Sequence, residues 1–400
     1  MAVGSFEPTF HQSESQRPRG VHASVRGSLK RGISQRLHLP TQVHRPPHTA
    51  KRGSPSGRLS ARRRRPRLLE VTVSELTERE LVARIQSCLP PSPAWLTVGI
   101  GDDGAVAEPE RNRLEVFTVD AVIDGVHFDR RFTPPDAIGH RAIAVNLSDL
   151  AAMGATPRLA LLSFALPPDL TCHDFDGMVV GLAAEAASAG IAIVGGNLTR
   201  TPGPLTIDIT AVGTVKRRCA ITRGGARPGD HVYMTGSIGG ATAGLQMLEG
   251  GNGDASASCV ERYLRPSARL RTGTLLGRNK AASACIDLSD GLADAATRIA
   301  EASGVGMTLD AEAVPVDADA CRWFEAHAQH PLTAAMSGGD DYELLFTVRP
   351  RQRGRLKAAI RHGGVSITRI GVCTHDGVLA VRSQASAGLV ALPAGFSHFR

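Results

Sequence analysis

The stretch AVNLSDLAAMGATPR at residues 144–158 sets one carboxylate, Asp149, among apolar and small residues. Ile138, Ala142, Val145 and Leu150 recur at helical spacing and predict a helix over 136–153. Leu147, Leu150, Ala151 and Ala152 leave little polar surface around Asp149. An aspartate on an exposed face is the plain alternative. A buried carboxylate is costly unless it is paired or metal-bound, which tilts the reading toward a ligand.

Further aspartates stand in short motifs on both sides: Gly99-Ile100-Gly101-Asp102-Asp103, Thr118-Val119-Asp120, Ile286-Asp287-Leu288-Ser289-Asp290-Gly291 and Gly338-Gly339-Asp340-Asp341-Tyr342-Glu343. Several end apolar runs, where a strand delivers them to one edge of a sheet. Hard cations such as Mg²⁺ take oxygen ligands and are commonly shared between carboxylates and substrate phosphates. The pattern therefore predicts a phosphate site holding several Mg²⁺ ions. Neither a G-x-x-x-x-G-K-[ST] loop nor H-E-x-x-H nor G-x-S-x-G occurs. Gly99–Gly104 matches G-x-G-x-x-G by letter, but Pro109 and the charged run Glu108–Arg113 follow where that fingerprint requires a helix.

Weaker signals sit nearby. Ser289 or Asp290 can cap the helix expected from about Gly291, a position that also favours phosphate. Gly236-Ser237-Ile238-Gly239-Gly240 reads as a tight turn before a helix rather than a phosphate cradle. Arg223, in a glycine-rich loop, is either a solvated basic residue or a phosphate contact. His127 is either a substrate contact or a histidine satisfied within the fold.

The net charge of +8 is unevenly placed. Residues 1–68 carry 15 Lys and Arg against two Glu, so the remainder is net −5. An acidic body argues against nucleic-acid binding and suits a pocket that gathers cations. Residues 1–70 lack hydrophobic periodicity and are expected to be a disordered basic leader: a mis-called start or tail, a transit peptide, or a nucleic-acid tether through Arg62–Arg65. No apolar run reaches the ~20 residues of a membrane span. The seven cysteines form no Cys-x-x-Cys pair, as expected of a reduced cytoplasmic protein without a zinc site.

Strands are expected at 97–100, 114–119, Leu205–Val215, His231–Thr235, 284–288, 342–348, 367–373 and 378–382, with helices at 174–189 and 351–361. A short apolar strand is expected to end before Val194-Gly195-Gly196-Asn197, and a surface loop to occupy 249–257. The alternation gives an α/β or α+β class in two domains, 71–216 and 217–400, with the break near Lys216.

In this order, GIGDDGAV (99–106), TVDAVIDGVHF (118–128), AVNLSDLAAMGATPR (144–158), TRGGARPGD (222–230), YMTGSIGGATAGL (233–245), IDLSDGLADA (286–295) and SGGDDYELLFTV (337–348) resemble the thiamine-monophosphate kinase family, within the aminoimidazole-ribotide-synthetase-like superfamily. The resemblance spans about Ser74 to Phe399. It implies an N-terminal α/β domain, a C-terminal α+β domain and a homodimer in which two N-terminal sheets close a barrel. It implies Mg²⁺ at Asp103, Asp120, Asp149, Asp287 and Asp290, supported by Thr118, Val119 and Asn197. ATP is implied at Thr118, Gly196, Asn197, Arg223 and Ser289, and thiamine monophosphate at His127, Asp340 and Phe396. The implied reaction is direct transfer of the ATP γ-phosphoryl group to the substrate phosphate, with no phosphoenzyme and no general base.

Three positions depart from the family's usual residues. Asn197 stands where Asp is frequent, Asp340 where Glu is frequent, and Phe396 where Tyr is common. Other readings are a selenophosphate-synthetase-like or hydrogenase-maturation-like enzyme, or a non-catalytic nucleotide-binding protein. The first lacks a reactive Cys before GIGDD, and the second lacks a terminal Cys.

Overall fold

Two sheets with different neighbours organise the chain. The computed structural model describes residues 71–251, 256–384 and 388–395, so the leader and Phe396 lie outside the described residues. By its contacts Pro66–Arg400 forms one unit.

The first half contains α1 (Glu78–Cys88), a small hairpin of β1 (Leu96–Val98) and β2 (Val106–Ala107), then β3 (Arg113–Ile123), α2 (Pro135–Ala152), β4 (Thr156–Leu166), α3 (Cys172–Ala189), β5 (Ala192–Arg200) and β6 (Thr206–Lys216). The four long strands form one sheet in the order β3-β6-β4-β5. β3 pairs antiparallel with β6 from Arg113↔Lys216 to Ile123↔Thr206 without a break. Alternation along β6 sends Ile207, Ile209 and Ala211 into the core, where Leu147, Leu150, Phe175 and Leu182 meet them. One expectation is corrected here. Val194–Asn197 does not follow a strand but lies within β5, which runs on to Arg200 because it pairs in parallel with β4.

The second half contains β7 (His231–Thr235), α4 (Gly240–Gly250), α5 (Ala257–Leu264), α6 (Leu270–Arg278), β8 (Ala284–Asp287), α7 (Leu292–Ser303), β9 (Gly306–Asp310), α8 (Ala318–Ala326), α9 (Pro331–Ser337), β10 (Leu344–Val348), α10 (Lys357–His362), β11 (Ile367–Thr374), β12 (Leu379–Arg382) and β13 (Leu389–Ala391). Its strands form a seven-stranded sheet, β13-β12-β9-β11-β7-β10-β8. The helix expected over 351–361 is α-helical only from Lys357, after a 3-10 segment Pro350–Leu356. One face of this sheet packs on α4, α7, α8 and α9 through Met234, Ile286, Leu345 and Phe324. The other face uses Tyr233, Leu344 and Phe346, and here it meets Ala151 and Ala152 from the end of α2. Among the described residues no helix is long and apolar enough to cross a membrane.

Helix α2 thus carries the first core on one side and touches the second sheet at its end. It lies unusually close to α3: a Cβ on Gly139 would meet the Met178 carbonyl oxygen at 1.8 Å, and one on Gly181 the Asp136 carbonyl at 1.9 Å. Gly139→Ala is therefore expected to destabilise the fold by about 1–3 kcal/mol through overpacking. The check is the urea midpoint, and a midpoint equal to that of the parent chain would contradict the close crossing.

Candidate active site

Three elements converge on one wall of a cleft of about 540 Å³. On β3, Thr118 and Asp120 share the face of the buried Val122, turned toward α2. On α2, Ser148 and Asp149 sit one turn from the end. β8 ends at Asp287, placed by its pairing with Leu344. The hydroxyl of Thr118 donates to Asp149 Oδ2. Ser148 Oγ donates to Asp287 Oδ2 at 2.7 Å. Burial, with the charges of Asp149 and Asp287 adding to it, pushes the Asp120 carboxyl up to about 7. Burial and the charge of Asp149 likewise push Asp287 up to about 7, against the opposing effects of the Ser148 hydroxyl and the Arg223 charge.

Asp290 and Ser289 line the same cleft. The expected cap at this helix start is corrected. Gly291 is the N-cap of α7, at φ +92° and with no side-chain cap bond, so neither Ser289 nor Asp290 serves in that role. Asp290 lies 3.3 Å from Arg298. Arg223 borders both this cleft and an adjoining pocket that reaches Thr118 past Asp149 and Asp287.

The rest of the lining comes from the β3–α2 connection, an earlier stretch of α2 and the segment before β10. His127 belongs to it, and the Ile123 N–H donates to His127 Nδ1 at 3.2 Å, which leaves Nε2 as the protonated nitrogen in a neutral ring. Asp340 is held at φ +66°, and its N–H donates to the Ser289 carbonyl at 2.8 Å. Arg141, absent from the residues singled out by sequence, and Tyr342, quoted there only within its motif, also line the cleft. A usable signal existed: Arg141, Val145 and Asp149 recur at intervals of four on α2, one stripe facing the cleft.

The rest of the Gly338–Glu343 motif is structural. Asp341 accepts from the Gly239 N–H at 2.8 Å and so caps α4, which accounts for Gly236–Gly240 as a turn. Glu343, fully buried, accepts from Arg269 Nε at 2.7 Å and from the Thr235 hydroxyl.

Other expected residues do not join the cluster. Val119 turns its side chain to the other face of the sheet and is 58% exposed, so only its main chain is available. Gly196 and Asn197 lie on β5, the far edge from β3. Three strand spacings separate those edges, roughly 14 Å. Gly196 also has a packing reason to be glycine, since a Cβ there would meet the Leu162 carbonyl at 1.8 Å. Asp103 is exposed on the β1–β2 hairpin. Ile100 of that hairpin shares a pocket with Gly196 and Asn197. The expected site thus falls into two groups within one chain.

Donors in the main group are carboxylates and hydroxyls, with neither thiol nor imidazole among them. That set fits a hard, oxygen-preferring cation. Burial and the charge of Asp149 raise both Asp120 and Asp287, so a positive charge beside them would favour their ionised forms.

Family models for AIR synthase related proteins match this chain over residues 101–215 (N-terminal domain) and 227–384 (C-terminal domain). The thiamine-monophosphate kinase of Escherichia coli K12 is 38% identical over 304 residues, covering 75% of this chain and 91% of that protein. The Bacillus subtilis thiamine-monophosphate kinase is 33% identical over 313 residues, 76% of this chain and 94% of its own length. Among solved structures, the Stenotrophomonas maltophilia thiamine-monophosphate kinase aligns with a TM-score of 0.68 at 34% identity, over 78% of this chain and 98% of that one. AaThiL, solved in complex with AMPPCP and TMP, aligns with a TM-score of 0.64 at 30% identity, over 83% and 100%. The E. coli hydrogenase maturation protein HypE aligns with a TM-score of 0.66 at 20% identity, a likeness of fold alone.

The carboxyl pair sets a pH test. In metal-free protein the folded Asp120 and Asp287 keep protons up to about 7, whereas an unfolded aspartate releases them near 3.8. Between those values the folded state holds more protons, so its stability falls as pH rises. Calorimetry in a chelator should show a lower Tm at pH 8 than at pH 5.5. Adding Mg²⁺ should raise the Tm more at pH 8 than at pH 5.5. Equal Mg²⁺ effects at both pH values would count against cation binding by this cluster.

Proposed function

The chain belongs to the thiamine-monophosphate kinase family, and from that membership and the converging carboxylates we infer that it transfers the γ-phosphoryl group of ATP to thiamine monophosphate, yielding thiamine diphosphate and ADP. The observation that carries the reading is the meeting of Asp120, Asp149, Asp287 and Asp290 at one cleft, in a fold shared with a relative solved with AMPPCP and TMP. Selenophosphate-synthetase-like and non-catalytic readings have no comparable support.

Asp120, Asp149, Asp287 and Asp290, with the Thr118 hydroxyl, would hold Mg²⁺. When bound, Mg²⁺ neutralises phosphate charge and aligns donor with acceptor. Arg223 faces the ATP phosphates from the same wall and, with Ser289, orients them. His127 and Asp340 position the acceptor. The acceptor phosphate, with a second pKa near ~6, is already largely a dianion at neutral pH, so no side chain needs to take its proton.

We further infer a homodimer. Phe117 (66% exposed), Val119 and Leu161 form an apolar patch on the sheet face turned away from α2 and α3. Two copies joined there would cover it and close a barrel. Such pairing would bring Asp103, Gly196 and Asn197 of one copy to the carboxylate cluster of the other. The same reading takes 71–216 and 217–400 as the domains. The cysteines, all free, fit a reducing cytoplasm.

Two experiments test this. In a coupled assay with Mg-ATP, thiamine monophosphate should be phosphorylated and free thiamine should not. Asp149→Asn should lower kcat about 100-fold or more, since it removes charge stabilisation made in the transition state, while leaving the circular dichroism spectrum unchanged. The second mixes two inactive variants, Asp103→Asn and Asp149→Asn. Shared sites regenerate about a quarter of parental activity by random pairing of subunits. No recovery on mixing would place each site within one chain.

A further inference from the structure

We propose that Arg141 is a positioning residue for the acceptor. It converts Asp340 into a charge-compensated hydrogen-bond acceptor that recognises the exocyclic amine of the substrate's aminopyrimidine ring. The inference rests on the thiamine-monophosphate reading above and assigns one end of that substrate to one atom.

Arg141 sits on the cleft-facing stripe of α2 and is 1% exposed. A buried guanidinium is retained only where its charge is answered. Its Nη1 lies 3.1 Å from Asp340 Oδ1, and its Nη2 donates to the Tyr263 carbonyl. The guanidinium also stacks 4.4 Å from the centre of the Tyr263 ring. Its Nε has no partner among the described residues, so the group is aimed at Asp340 at the expense of a full set of bonds. Tyr342 Oη donates to the same Oδ1 at 3.1 Å. Both donors therefore use one oxygen of Asp340. Oδ2 is left without a protein partner among the described residues, on a side chain that lines the cleft.

The backbone agrees. Asp340 and Tyr342 both hold left-handed φ values, +66° and +49°. For a bulky tyrosine that conformation is unfavourable and persists only where surrounding contacts impose it. Here the Tyr342 N–H donates to the Leu288 carbonyl at 3.0 Å, and its ring is buried. The segment is thus fixed in the one shape that points Oδ1 at Arg141.

Charge decides which part of the substrate Oδ2 receives. An isolated carboxylate would draw the cationic thiazolium ring. Paired with Arg141 it is close to neutral, and its free lone pairs favour an N–H donor. The aminopyrimidine ring offers such a donor on its exocyclic amine. Val122, Val126, Val145 and Leu245 supply apolar surface in the same cleft for a flat heterocycle.

The test measures kcat and KM for both substrates in Arg141→Lys, Arg141→Met and Tyr342→Phe, and compares thiamine monophosphate with oxythiamine monophosphate, whose oxo group replaces the amine. Arg141→Met should raise the KM for thiamine monophosphate about 10- to 100-fold, the worth of a hydrogen bond to a charged group. Arg141→Lys should recover part of that loss. The KM for ATP should stay within about threefold, since the contact these side chains make to Asp340 serves the acceptor. Tyr342→Phe removes one hydroxyl and carries the same test if Arg141→Met does not fold. The parent enzyme should prefer the amine-bearing substrate at least about 10-fold in kcat/KM. Unchanged KM for thiamine monophosphate in Tyr342→Phe and Arg141→Lys, or equal use of the two phosphates by the parent, overturns the inference and leaves the kinase reading intact. A parent enzyme inactive on thiamine monophosphate would instead fail the kinase reading itself.

Discussion

Like charges resist being brought together, and this fold brings several together. Asp120, Asp149 and Asp287 come from a strand, a helix and a strand of a different sheet. Burial first, and then the charge of Asp149 beside them, pushes Asp120 and Asp287 up to about 7. A chain free to relax would separate them. They stay because each is fixed by packing that has nothing to do with its charge: β3 by its unbroken ladder with β6, α2 by its glycine-mediated contact with α3, and β8 by its pairing with β10. The hydroxyls of Thr118 and Ser148 soften the repulsion but do not cancel it. A divalent cation held by these carboxylates would offset that repulsion. On the proposed reading, affinity for divalent ions would be built by the rigid scaffold as much as by the ligands.

Helix α2 is the element on which this depends. Its buried side anchors the first core, its last residues touch the second sheet, and one stripe of its surface carries Arg141, Val145 and Asp149 along the cleft. A single rigid rod thus sets the distance between the carboxylate cluster and the Asp340 clamp. At 1.5 Å per residue, the eight positions from Arg141 to Asp149 span roughly 12 Å. On the proposed reading, the helix would space the acceptor as well as carry the acid group.

Much of this was legible in the sequence, for physical reasons that differ by residue. Asp149 stood out because its neighbours left it no polar surroundings. Asp287 stood out because it ends an apolar run, and Asp120 because it interrupts one. Long elements such as α2, α3 and β6 span enough turns or alternations to be read from periodicity. Helices α5, α6, α8 and α9 run only seven to nine residues, too short for a periodic signal to rise above chance. Strand β5 was expected to end before Val194, yet it continues through both glycines, one of which the close approach of Leu162 requires. Arg141 was passed over because a basic residue in a helix is ordinarily a solvated one. Only its burial shows that it is not. The roles within Gly338–Glu343 were likewise invisible in the string. Asp340, Asp341 and Glu343, within four positions, go to the cleft, a helix cap and a buried ion pair, and the left-handed turns at Asp340 and Tyr342 help separate them.

The division of the expected residues into two groups has a geometric origin. A four-stranded sheet has two edges, and side chains on opposite edges cannot serve one small ligand. Asp120 occupies one edge, Gly196 and Asn197 the other, and the hairpin bearing Asp103 packs beside the latter. Were a single chain the working unit, the second group would be idle. The apolar face between the two edges argues otherwise: Phe117, Val119 and Leu161 are too large and too exposed to be free of cost in water, and burying them is the natural driving force for a second copy. Closing two such sheets into one barrel removes all four open edges at once. It also sets each far-edge group against the partner's near-edge carboxylates. In the homodimer proposed above, assembly and completion of the site would be one event, and Asn197 would bear on the partner copy's cation rather than on its own.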